Sequence, residues 1–123
     1  MRELGAGELL DATGVVTLPE GGFWDWEVVH WTPAELRLRA GYDLTYHHEL
    51  ELILAGATLV RCPDMFHDPV FRAPSAAEGA AVAGWLGESP PLLIAFDADA
   101  GGAEPMPCLV AAEGIGGILL RGE

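Results

Sequence analysis

The chain has 123 residues, half of them hydrophobic and a fifth charged, with 19 acidic residues against six arginines and no lysine, for a formal net charge of -13. That length and composition predict one β-rich globular domain over residues 1–123 that buries about two thirds of its unfolded surface. The charge argues against nucleic acid and anionic lipid as partners, and it suits either attraction to a basic protein surface or solubility alone.

Met1 to Ala12 carries leucines at 4, 9 and 10 but also Gly5 and Gly7, which predicts a frayed turn or short strand. GVVTL (Gly14 to Leu18) is β-branched and followed by PEGG, so it reads as a strand closed by a turn. FWDWEVVHW (Phe23 to Trp31) reads as a strand with both faces partly covered. From Glu35 the parity is strict: Leu36, Leu38 and Ala40 alternate with Glu35, Arg37 and Arg39, and Leu50, Leu52 and Leu54 share a face opposite Glu49 and Glu51. Charge complementarity predicts a hairpin that pairs Arg39 with Glu49 and Arg37 with Glu51, turning near Tyr42 to Tyr46. ATLVRCP then reads as a short strand stopped by Pro63, and PDMFHDP as a polar loop.

The sequence PSAAE contains a capping box, Ser75 with Glu78, and predicts a helix over 76–86 ending at Gly87. Its alanines and Gly84 suit close approach to a sheet, with Trp85 as anchor. LLIAF, CLVAA and ILLR complete about seven to eight short strands, which predicts a mainly β (α+β) fold, an antiparallel β-sandwich or open barrel with one helix. No GxGxxG or GxxxxGKS loop accompanies it.

Four histidines stand near carboxylates. His47 and His48 point to opposite faces of a strand, so a divalent metal site would combine His47 and Glu49 with His67 and Asp68. Without such a site, His30 and His48 pack by one edge against the core, and Asp64 and Asp68 satisfy turn N–H groups. Cys62 and Cys108 lie outside any zinc spacing and read as two buried, reduced thiols. FDADAGG echoes a calcium loop but lacks its third carboxylate and its terminal glutamate. The two serines, Ser75 and Ser89, lie outside any nucleophile elbow, which argues against a serine hydrolase.

The aromatic and acidic run GGFWDWEVVHW offers Trp24, Asp25, Trp26 and Glu27 as partner-binding residues, together with Asp64 and Asp68, because indoles supply contact area and attract guanidinium or ammonium groups. At least half of the tryptophans belong in the core, and whichever stays uncovered is the interaction candidate. In size and charge the chain is similar to many bacterial immunity and accessory proteins, a likeness that transfers no residue. The expectation is therefore a non-enzymatic acidic binding protein, an inhibitor or immunity-type partner of a basic protein, with no cofactor. The alternatives are a small metal-dependent or acid–base enzyme centred on His47, Glu49, His67 and Asp68, and a ligand-binding β-barrel. No apolar run approaches the roughly 18 to 20 residues of a membrane span, and the first residues lack the features of a signal peptide, so cytoplasmic residence is expected.

Overall fold

A computed structural model describes residues 1–42 and 48–120. It contains nine strands, β1 (Arg2–Leu4), β2 (Asp25–Trp31), β3 (Glu35–Gly41), β4 (Leu50–Ala55), β5 (Leu59–Arg61), β6 (Met65–Arg72), β7 (Leu92–Asp99), β8 (Met106–Ala112) and β9 (Gly114–Leu119). Two helices, α1 (Ala6–Leu9) and α2 (Ala76–Leu86), complete it. All strands join one antiparallel sheet in the order β1, β9, β4, β3, β2, β6, β7, β8, β5.

The sheet is unclosed but strongly curled. Strands β8 and β9 hold its eighth and second positions, yet only Glu113 separates them in the chain, a span of at most about 7 Å. The Glu113 N–H donates to the Ala55 carbonyl at 2.8 Å, drawing the two arms of the sheet together at that rim. Inside the curl lies one core built from alternate residues of the strands, with Trp26, Leu36, Leu50, Leu52, Leu54, Phe66, Phe96 and Val110 nearly inaccessible. Trp26 stacks on Phe66 and Phe66 meets Phe96, with ring centroids 5.9 and 5.2 Å apart.

The expected parity of β3 and β4 holds, but the register lies two residues from the one that charge pairing favours. Leu38 faces Leu52, Leu36 faces Leu54, and Arg39 faces Glu51. The reason is a third strand: Arg39 pairs with Glu27 on β2, while Arg37 reaches Glu51 diagonally at 2.7 Å. The predicted turn lies mostly outside the described residues.

Helix α2 spans the predicted residues. Ser75 Oγ accepts from the Glu78 N–H at 3.0 Å, Glu78 Oε1 accepts from the Ser75 N–H at 2.9 Å, and Gly87 closes the helix with φ 81°. Its anchor differs from the prediction: Val82 is buried against Ala95, Leu109 and Ala111 on the outer face of β7 and β8, whereas Trp85 is 59% exposed. With the core on one side and α2 on the other, these two strands are covered twice, which accounts for the continuous apolar runs LLIAF and LVAA. Arg72 ties helix to sheet. Its guanidinium donates to both Glu78 oxygens at 2.6 and 2.9 Å and to both Asp97 oxygens at 2.9 and 3.1 Å.

Three local expectations change. The opening segment forms β1 and the single helical turn α1, a second helix. GVVTL contributes only a bridge, Leu10 with Val16, because Asp11 Oδ1 gathers the N–H groups of Thr13 and Val15 into a tight turn. The supposed PDMFHDP loop is largely strand: β6 pairs with β2 and β7, and Pro69, which has no N–H to give, sits in the bulge between His67 and Val70.

Candidate functional site

Alternation along β2 divides the aromatic run. Trp26 points inward, is 1% exposed and donates its indole N–H to the Phe23 carbonyl at 2.6 Å, so it is a core residue and leaves the predicted binding set. Trp24, just before the strand, is 49% exposed. Its ring folds over Gly22, where a Cβ would come within 2.6 Å of it, and stands 6.4 Å from the Tyr42 ring at 55°. Glycine at position 22 thus leaves room for the indole, which a side chain there would displace.

Beside that ring lies an open cleft of about 330 Å³ lined by Leu18, Pro19, Phe23, Trp24, Asp68 and Val70. Asp68 is the one non-glycine residue among those described with positive φ, 49°. Its N–H donates to the Trp24 carbonyl at 2.8 Å, which pins the β6 bulge to the start of β2. No hydrogen bond or ion pair engages the Asp68 carboxylate among the described residues. Val70, 64% exposed, forms the far wall. An aspartate in the left-handed region, its carboxylate unpaired among the described residues, thus lines the same cleft as an exposed indole.

The outward positions level with the cleft carry further charge. Asp25 faces Gly41 on one side and His67 on the other, and His67 faces Asp99. Asp25 Oδ1 lies 2.7 Å from His67 Nδ1. Asp99 Oδ1 accepts from the Gly101 N–H at 2.8 Å, so the acidic stretch resembling a calcium loop is a self-closed turn at the end of β7.

Farther along, the outer face of β2, β3 and β4 is internally paired. His30 Nε2 lies 3.0 Å from Glu35 Oε2, which also accepts from Arg37 Nε at 2.9 Å. Arg37 Nη1 donates to Glu51 Oε1, His48 Nε2 stands 2.9 Å from Glu51 Oε2, and Arg39 pairs with Glu27. The Arg37 guanidinium holds the Glu35 carboxyl below its usual range. For Glu51, burial pushes upward but is outweighed by hydrogen bonds from His48 and Arg37, and its carboxyl also lies low. Glu27 therefore belongs to this structural ladder. Asp64 is exposed at the start of β6, where its carbonyl accepts from Val28.

Among the described residues, the members of the expected metal set do not gather. Glu49 stands level with Gly41, hence three strands away from His67, roughly 14 Å at the usual strand spacing and on the convex face where side chains diverge. His67 Nδ1 is already engaged by Asp25, and His47 lies outside the described residues. Among the described residues no three His, Cys, Asp or Glu side chains gather closely enough to hold an ion. Neither thiol is poised as a nucleophile at neutral pH, since burial foremost raises Cys62 to about 11 and Cys108 to about 12 and keeps both mainly protonated. The interior of the curl is filled by the Trp26, Phe66 and Phe96 rings and the leucines of β3 and β4.

No helix among the described residues is long and apolar enough to cross a membrane. Comparisons of the chain with protein-family models, with curated proteins and with solved structures find no match. The signal for the cleft was present in the sequence as GGFW, a flexible pair placed directly before two aromatics. The role of Val70 and Pro69 was hidden by reading residues 63–69 as a loop.

Proposed function

We propose that the protein is a non-enzymatic binding protein, an inhibitor or immunity-type partner that acts in the cytoplasm and grips a basic protein surface through the Trp24 cleft. The observation that supports this reading most is the half-exposed Trp24 indole, seated on Gly22 beside the unpaired carboxylate of Asp68. A guanidinium or ammonium group entering the cleft gains a ring face and a carboxylate together, a contact worth about 0.5 to 2 kcal/mol from the ring alone. The net charge of -13 adds long-range attraction and raises the encounter rate at low salt.

The test uses arginine-rich peptides as probes, followed by calorimetry and tryptophan fluorescence. Trp24→Ala and Asp68→Asn should each weaken binding about three- to thirtyfold, the range that follows from a ring contact of that size. Glu113→Gln, at the opposite seam, should leave affinity within twofold. A loss in Glu113→Gln equal to that in Asp68→Asn, with none in Trp24→Ala, would reduce the effect to net charge and overturn the assignment of the cleft.

The Asp25 and His67 contact favours a second reading, a small acid–base enzyme in which Asp25 orients the His67 imidazole. No hydroxyl or thiol is hydrogen bonded to His67 among the described residues, so the imidazole would have to act on water or on a substrate proton. Turnover of an activated ester that disappears in His67→Ala would favour this reading over binding alone.

A further inference from the structure

The chain's two cysteines stand 46 positions apart, and both are free thiols. Strands β5 and β8 nevertheless bring them together. The ladder pairs Leu59 with Ala111, Val60 with Val110 and Arg61 with Leu109, and one further step sets Cys62 opposite Cys108. Parity places both on the same face. Val110 and Cys108 are buried in the main core, and Val60 and Cys62 pack against that core, whereas Leu59, Leu109 and Ala111 turn toward α2. Residues directly opposite on antiparallel strands have Cα atoms about 4.5 to 5.5 Å apart, inside the roughly 4.4 to 6.8 Å that a disulfide spans.

We propose that Cys62 and Cys108 constitute a reversible disulfide site that reacts with a low-molecular-weight disulfide of the glutathione class and clasps β5 to β8. The target is a short edge of the sheet: β5 has three residues and a single neighbour. Cys62 is the more accessible sulfur and reacts first. Its thiolate attacks one sulfur of glutathione disulfide, forming a mixed disulfide and releasing one glutathione thiolate. Cys108, facing it, displaces the second glutathione. The net exchange converts two protein thiols and one glutathione disulfide into one protein disulfide and two glutathione thiols, so both electrons and both protons end on glutathione.

Burial, reinforced at Cys62 by the charge of Asp64, holds both thiols well above neutrality. Oxidation is therefore slow at neutral pH and accelerates about tenfold per pH step up to about pH 10, as the thiolate fraction grows.

The folded protein is equilibrated with excess glutathione disulfide at pH 8.5, quenched with acid, alkylated in denaturant and weighed. Both alkylatable thiols should disappear from the monomer, leaving a mass lower by two hydrogens. The melting temperature should rise by several degrees and return on adding dithiothreitol. Cys62→Ala should show neither change. Two thiols persisting at equilibrium, a glutathione adduct on Cys62 that Cys108 never resolves, or a bond formed only between two chains would each overturn the proposal.

Discussion

Replacing Arg72 by methionine removes the side chain that, among the described residues, joins α2 to the sheet by charge, keeping most of its apolar stem. Its hydrogen bonds to Glu78, with one from the Ser75 N–H, hold the Glu78 carboxyl at about 2 rather than its ordinary 4.5. That displacement corresponds to about 3 kcal/mol between charged and neutral forms before solvent is considered. The side chains of Arg72 and Glu78 are 29% and 19% exposed, so screening reduces the Glu78 share to about 1 to 1.5 kcal/mol. Adding a few tenths to about 1 for the more exposed Asp97 gives a cost near 2 kcal/mol at pH 7. For a chain of this length that lowers the melting temperature by about 8 °C. The sign of the pH dependence follows from the lowered value. The Glu78 contribution is fully present above about pH 4.5, its unfolded value, and is lost as pH falls toward 2. Urea melts of both proteins between pH 7 and pH 3 should show a gap that is constant above pH 4.5 and narrows below it. A gap of the same size at pH 3 would refute the charge argument and leave packing as the cause.

Gly79 and Gly84 lie inside α2, where a Cβ at either position would meet nothing within 4 Å, so Gly79→Ala and Gly84→Ala should each stabilise by about 0.5 to 1 kcal/mol in thermal melts. Trp26→Ala should cost about 3 to 5 kcal/mol by urea unfolding, whereas Trp24→Ala should change stability by less than about 1, since only the first indole lies in the core. Asp68→Gly should raise stability by about 1 kcal/mol because φ of 49° is strained for a residue with a Cβ, and should weaken peptide binding in the same preparation.

How far the sequence could be read depended on how local each cause is. The leucine parity of β3 and β4 and the Ser75 and Glu78 box are settled within a few residues of themselves, and both stand where the pattern puts them. The hairpin register was legible only to within two residues, because Arg39 is satisfied by Glu27 on a strand that the hairpin alone does not contain. Residues 63–69 look like a loop from their prolines and aspartates, yet from Met65 onward neighbours on both sides recruit them into β6, and the bulge absorbs Pro69. Trp85 is the largest side chain on α2 but faces away from the sheet, and the smaller Val82 fits between the helix and β7 and β8. Of the candidate site, exposed tryptophans beside carboxylates were legible, but their number was not: Trp24, Trp31 and Trp85 are 49%, 52% and 59% exposed, and only Trp26 lies in the core, against the half expected.

The distribution of the few cations sharpens the functional argument. Arg2 pairs with Glu8, Arg37 with Glu35 and Glu51, Arg39 with Glu27, and Arg72 with Glu78 and Asp97. Four of the six arginines in the chain are thus spent on internal seams: the first turn, the outer face of β2 to β4, and the attachment of α2. Internal pairing shields the carboxylates on those seams, so they project little field outward. Among the described residues the carboxylate at the cleft has no such partner, and its backbone is held in a conformation that a glycine would adopt more easily. Fold stability alone would favour glycine at position 68. Under the proposed function, a basic group from another protein would supply the partner that these four arginines do not.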